Sequence, residues 1–218
     1  KYIPNKTIMA DKNEIIGIID CDNSYIIDDL IYNLKNFSKK KINVLVGKRI
    51  FEYNEGYIRK TFRKFINFFS SVIFKYKIED INSGIRIFLK GEFLKYINIY
   101  PDRFSISSTH TLSTVADKKK LEYFDTKYLK RSGKSKINIF YDPAKFIFLI
   151  LKIFLIFSPM KSFGLLGLFF ILMSLIILII SFIFLTQIMD LTFLLLFISG
   201  LNFILLGVIC EIVKINLK

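Results

Sequence analysis

The sequence predicts an α/β domain that leads through a short interfacial helix into a two-helix transmembrane hairpin. Three observations point there. Strand-like and helix-like runs alternate through the first two thirds, nearly all charge is confined to that part, and two long apolar runs follow it. Of the 32 Lys+Arg and 18 Asp+Glu, only Lys214, Lys218, Asp190 and Glu211 lie beyond residue 162, so the whole net charge of +14 belongs to the first part. A hydrophobic content of 53% and a mean hydropathy of +0.45 are too apolar for a purely soluble chain. A basic face attracts nucleic acid, anionic lipid or phosphorylated substrates by the same Coulomb force. Nothing beyond charge supports nucleic acid, because no reading motif accompanies it. Cys21 and Cys210 are isolated, with no disulfide or zinc spacing, which fits a reducing cytosolic side. Lys1 to Asn13 contains no apolar core of the signal-peptide kind.

Glu14 to Ile19 is a short apolar, β-branched run and reads as a buried strand ending on Asp20-Cys21-Asp22. Alternation along a strand would put Asp20 and Asp22 on one side. Paired carboxylates at a strand's carboxyl end suit Mg or Mn holding a diphosphate, since both metals take hard oxygen ligands. Ile26 to Phe37 has helical spacing after Ser24 as its cap, and Ile42 to Gly47 reads as a second strand. Strand, helix, strand in this order argues for parallel pairing, with Asp20, Asp22 and the Gly47-Lys48-Arg49 turn at the ligand-binding end.

Ile58 to Lys77 is expected to be a helix whose apolar face carries Ile58, Phe62, Phe65, Phe69, Ile73 and Tyr76. Arg59, Arg63 and Asn67 line another stripe, read either as a solvated basic face or as a phosphate-holding one. Glu79 to Phe88 is a turn-rich lead into a strand, where alternation puts Arg86 on the face opposite the core. Phe104 to Ala116 has helical character, and Leu121 to Tyr128 reads as a strand. The single histidine, His110, has no triad or metal partner spaced with it, so a surface or packing role is expected.

Arg131-Ser132-Gly133-Lys134-Ser135-Lys136 packs three cations and two hydroxyls around a glycine. Such a loop lets backbone and side-chain donors converge on a phosphate. After Asp142-Pro143, Phe146 to Phe157 is apolar apart from Lys152 and too short to span a bilayer. With Lys145 and Lys152 on one face it reads as an interfacial helix, placing the juxtamembrane segment at 142–162. Phe163 to Leu185 and the run from Leu191 onward to about residue 213 each suffice to cross a core that needs about 20 residues. The positive-inside rule puts the basic domain, residues 1–141, and the carboxyl-terminal tail on the cytoplasmic side of a multi-pass cell-membrane protein.

Taken together, these elements resemble the membrane-anchored family 2 glycosyltransferases that include dolichol-phosphate mannosyltransferase and bacterial polyprenyl-phosphate glycosyltransferases. Asp20-Cys21-Asp22 matches the D-x-D, Gly47-Lys48-Arg49 the G-x-R, and Asp80-Ile81-Asn82-Ser83-Gly84-Ile85-Arg86 the D-x-x-S-G-x-R. Arg131 to Lys136 resembles the R-x-G-x-S-K loop, and Phe157 to Lys161 the F-x-P-x-K that follows it. The resemblance implies a GT-A fold and transfer of a sugar, with inversion, from a nucleotide-sugar donor to a polyprenyl phosphate in cell-envelope glycan synthesis. It implies a divalent metal on Asp22 with Asp20. Phosphate contacts would come from Arg49, Arg59 or Arg63, Ser83, Gly84, Arg86, Arg131, Lys134, Ser135 and Lys136, with Asp22, Arg86 and Arg131 closest to the chemistry. A phosphate acceptor needs orientation and cations rather than a base; a hydroxyl acceptor would need one, and Asp80 is the candidate.

The chain departs from the family in two places. Ser24 stands where many members have Gln, and only 19 residues precede Asp20, where the family has a strand, a P-x-x-N-E turn and a further strand and helix. The GT-A domain is therefore expected to be truncated at its amino end, as a fragment or as a degraded or split enzyme. The alternatives to a polyprenyl-phosphate transferase are a family 2 transferase with a hydroxyl acceptor and a non-catalytic membrane protein whose basic domain docks lipid or a partner. Homo-oligomerisation through the hairpin is a further expectation.

Overall fold

The computed structural model describes residues 14–53, 56–101, 105–130, 142–184 and 190–216. Two compact units divide the chain, one running to Ile153 and the other starting at Phe154. The first is mixed α/β. Its elements are β1 (Ile15–Ile18), α1 (Ile27–Phe37), β2 (Val44–Phe51), α2 (Tyr57–Phe74), β3 (Arg86–Leu89), α3 (Lys90–Leu94), α4 (Ile106–Ala116), β4 (Leu121–Tyr128) and α5 (Asp142–Phe157), whose last turn belongs to the second unit.

The four strands form one mixed sheet in the order β1-β3-β2-β4. β1 and β2 run the same way, as the strand-helix-strand reading requires, but they do not pair with each other. β3 lies between them, antiparallel to both, and only β2 and β4 pair in parallel. Burial explains the choice: Ile85, Arg86, Ile87 and Phe88 are all enclosed, so both faces of this segment need cover, and the central position supplies it. β1 exposes Gly17 and Ile18 and takes an edge. One consequence positions everything that follows. The carboxyl ends of β1, β2 and β4 and the amino end of β3 gather at one edge of the sheet, because Ile18, Val46 and Tyr123 share a level with Arg86.

One sheet face packs Leu45, Ile85 and Ile87 against Leu30 and Phe37 of α1, together with Tyr25 and Ile42. The other packs Val44, Val46 and Phe88 with Val115 of α4 and Leu121. Each fully buried aliphatic or aromatic side chain contributes about 1.5–3 kcal/mol of transfer free energy. α1 starts at Ile27 without a side-chain cap, so the expected role of Ser24 as cap does not hold; its hydroxyl turns to Asp22 instead.

α2 is oriented differently from the expectation. Ile66, Asn67 and Ser70 face inward, whereas Ile58, Phe65, Phe68 and Val72 are exposed. Asn67 decides the rotation: its amide donates to Glu79 O at 2.6 Å and its carbonyl accepts from Ile81 N at 3.2 Å, satisfying backbone groups of a buried turn. α4 is a helix of Ser, Thr and His that is buried throughout its middle. Three of its threonine hydroxyls are accommodated by bonding one turn back, Thr109 to Ser105 O, Thr111 to Ser107 O and Thr114 to His110 O.

α5 buries Phe146, Leu149, Ile150 and Ile153 within the first unit and turns Lys145, Phe148, Leu151 and Lys152 outward. The second unit contains α6 (Pro159–Phe184) and α7 (Asp190–Asn216), both long and apolar enough to cross a membrane. They pack through Gly167 and Gly200. A Cβ on Gly167 would fall 2.6 Å from Gly200 O, and one on Gly200 would fall 2.8 Å from Gly167 O, so only glycine admits this approach of backbones. At one end of the pair Lys214 donates to Phe157 O at 2.7 Å and to Glu211 Oε1 at 2.8 Å, and Glu211 Oε2 accepts from Met160 N at 3.4 Å. This clasp satisfies polar groups where the helices end.

Candidate functional site

The gathered strand ends bring together three of the motifs seen in the sequence. β1 stops at Ile18, so strand alternation does not extend to Asp20 and Asp22; a bend places them instead. Asn23 adopts a left-handed conformation, φ 58°, which asparagine tolerates well, and Asp22 Oδ1 accepts from Ser24 N at 3.1 Å and from the Ser24 hydroxyl. This Asx turn holds Asp22 half-buried while Asp20 stays exposed at the rim.

Asp20 meets the turn that leads into β3. A Cβ on Gly84 would fall 1.9 Å from Asp20 Oδ2, so glycine is what lets the carboxylate lie against the backbone there. Tyr25 holds the same turn from beneath: its hydroxyl accepts from Gly84 N at 2.8 Å and lies 3.3 Å from Ser83 Oγ. Burial pushes its phenol up to about 12, so it remains a neutral hydrogen-bonding group.

The G-x-R segment lies within β2. Gly47 donates to Ile85 O at 3.0 Å, and a Cβ there would meet Ile85 Cγ2 at 2.3 Å. Lys48 pairs with Glu79 at 2.6 Å. Arg49 forks onto Asp80, Nε to Oδ2 and Nη2 to Oδ1, both at 2.7 Å, and its backbone N–H reaches Oδ2 at 3.2 Å. Asp80 is 1% exposed. Burial by itself would lower the Arg49 pKa; the Asp80 charge and hydrogen bonds outweigh it, so the arginine is held above its ordinary value. Its guanidinium also sits 5.3 Å from the Tyr128 ring centroid, and that of Arg63 lies 4.5 Å from the Phe51 ring centroid.

Arg86 departs most from expectation. The face opposite α1 is itself core, so Arg86 is 2% exposed and lies under α4. It donates through Nη2 to Ser83 O at 2.6 Å and through Nη1 to Ser107 O at 2.7 Å, with His110 Nδ1 at 3.4 Å as the acceptor. Burial lowers its pKa, yet a guanidinium stays protonated in any case. His110 is fully enclosed by Phe88, Phe93 and Tyr100, and burial, reinforced by the Arg86 charge, holds its pKa well below the usual histidine range. Its role is packing.

No protein-family model and no curated protein matches this chain. The site is therefore read from its own geometry. Asp20, Asp22, Arg49, Asp80, Ser83 and Gly84 gather at one sheet edge, Arg63 joins through Phe51, and Arg86 braces the turn from within. Arg59 is exposed on the first turn of α2. Arg131, Lys134, Ser135 and Lys136 lie outside the described residues.

Among the described residues no cluster of three or more His, Cys, Asp or Glu forms. Asp20 and Asp22 are carboxylates of the hard-oxygen type that divalent cations take, and one oxygen of Asp22 already accepts from Ser24. Sequence reasoning missed Tyr25 and Ser108, the latter donating to Asn82 Oδ1 at 3.1 Å, and put Asn67 on an outer stripe with Arg59 and Arg63, whereas it is buried against the turn. Each secures the turn from 79 to 84. Only Tyr25 carried a sequence signal, its place directly after Asp22-Asn23-Ser24.

Proposed function

We propose that the chain is a membrane-anchored glycosyltransferase of GT-A type that moves a sugar, with inversion, from a nucleotide-sugar donor to a polyprenyl phosphate at the cytoplasmic face. One observation carries the reading: the Asp20-Asp22 bend lies against the Gly84 turn, beside the Arg49–Asp80 pair, in a chain that also holds two helices able to span a membrane. A divalent cation held by Asp20 and Asp22 would neutralise the departing diphosphate. The residues of the chain supply the rest. Gly84 permits close approach of the backbone, Tyr25 and Arg86 keep its turn rigid, and the clamp from Arg131 to Lys136 orients the acceptor phosphate.

The burial of Asp80 and its engagement by Arg49 favour a phosphate acceptor over a hydroxyl, because a general base must reach the proton it removes. Arg49 and Arg86 are both held by internal partners, which favours a second reading, a non-catalytic domain that docks lipid. Purified full chain, supplied with labelled nucleotide sugars and either polyprenyl phosphate or a sugar hydroxyl acceptor, separates the readings. A lipid-linked sugar that persists in Asp80→Asn supports the first; donor binding that is absent for every nucleotide sugar supports the second.

A further inference from the structure

α2 turns an aromatic stripe away from the domain. Ile58 is 63% exposed, Phe68 68% and Val72 58%, and Phe65 is half exposed and stacks on Phe69 with ring centroids 5.9 Å apart. These residues recur at helical spacing, so they form a continuous band directly opposite the buried Ile66, Asn67 and Ser70. Exposed lysines, Lys60 and Lys64, flank the band on one side. On its other side Phe62 meets Phe146 of α5 with centroids 6.0 Å apart.

We propose that this band is a membrane-contact surface, seated in the headgroup region of an anionic bilayer. α5 connects the two observations that name the occupant. It touches α2 through Phe146, and one residue after its end at Phe157 the chain continues into α6, the first helix able to span a membrane. Chain connection alone therefore tethers α5, and a helix that touches it, within reach of the lipid surface. α5 has the same outward character as α2, with Phe148 70% exposed beside Lys145 and Lys152. Aromatic and branched side chains bury in the acyl boundary while flanking lysines reach phosphate, as interfacial helices do. A second copy or another protein would not require lysines along the rim. The inference rests on the membrane reading of α6 and α7 and is independent of any transferase activity.

The test uses the full chain with Cys21→Ser and Cys210→Ser, a single cysteine introduced by Phe68→Cys, and an environment-sensitive fluorophore on it. Parallel probes come from Lys35→Cys on α1 and Leu172→Cys in α6. The protein is reconstituted in phosphatidylcholine vesicles containing one quarter phosphatidylglycerol, then challenged with aqueous iodide and with lipids carrying a nitroxide near the headgroup. The expected result is that the probe at 68 loses most of its emission to the nitroxide lipid and resists iodide several-fold better than the probe at 35. Weaker nitroxide quenching at 68 in vesicles of phosphatidylcholine alone is also expected, from loss of the lysine contribution. Equal iodide quenching at 68 and 35 would overturn the proposal. So would iodide shielding without nitroxide quenching, which would assign the band to a protein partner or a second copy. Failure of the probe at 172 to be quenched by a second lipid, carrying its nitroxide deep in the acyl chain, would overturn the membrane reading itself.

Discussion

Arg49 and Asp80 join β2 to the turn before β3 through two parallel hydrogen bonds of 2.7 Å, in a site where the side chains are 13% and 2% exposed. Removing one charge leaves the other buried without its partner. Asp80→Asn is expected to destabilise the domain by about 3–5 kcal/mol. Arg49→Met combined with Asp80→Leu is expected to recover most of that loss, since apolar replacement of both partners removes the desolvation cost as well. Denaturant unfolding of the full chain in detergent, followed by tyrosine fluorescence, checks both.

Gly84→Ala places a methyl 1.9 Å from Asp20 Oδ2. Asp20 is exposed and can swing away, so the stability loss should stay under about 1 kcal/mol. The carboxylate pair, however, is disturbed. Affinity for Mn is expected to fall by about 10–100-fold, the range found when groups that orient a metal ligand are altered. Titration followed by electron paramagnetic resonance reads this directly, and unchanged affinity would remove Asp20 from the metal set.

His110 gives the domain a pH dependence with a defined sign. Its folded pKa lies well below the ordinary value because burial, and then Arg86, disfavours the charged ring. Below about pH 6.5 the unfolded chain binds a proton that the folded one refuses, so stability falls as pH drops, by up to about 1.4 kcal/mol per pH unit from this group. The loss ends once pH passes below the folded pKa. His110→Gln, which can still offer an acceptor to Arg86, should flatten the curve between about pH 6.5 and 5.5. Thermal unfolding of both proteins across that range is the measurement.

The glycines of α6 and α7 differ in what they tolerate. A Cβ on Gly200 would lie 2.6 Å from Ile171 Cγ1 and 2.8 Å from Gly167 O, whereas one on Gly164 meets nothing within 4 Å. Gly200→Leu should cost about 1–3 kcal/mol of hairpin stability through overpacking. Gly164→Ala should leave it unchanged. Thermal stability in detergent distinguishes them.

Local pattern made much of the architecture readable in advance. β4 occupies Leu121–Tyr128 as its alternation indicates, and the two apolar helices lie where uncharged runs demand them. What failed was non-local. Nothing in Ile15–Ile18 reveals that Arg86–Leu89 will insert beside it rather than β2. α2 carries two apolar arcs, and only the unsatisfied turn at 79–81, reached by Asn67, determines which one faces in. Alternation with Ile85 and Ile87 does put Arg86 on the face away from α1, but that face is itself core, and the carbonyls of Ser83 and Ser107 take the place of water there. The site was legible as motifs, while Ser108 emerged only once distant turns were brought together.

The most direct measurement of the proposed chemistry is transfer of a labelled sugar to polyprenyl phosphate by the full chain in vesicles. Product should form with Mn or Mg, disappear with a chelator, and fall by about 100-fold or more in Asp22→Asn, as loss of a group stabilising developing charge entails. Transfer that is indifferent to chelation and to Asp22→Asn, or no donor binding at all, would contradict it.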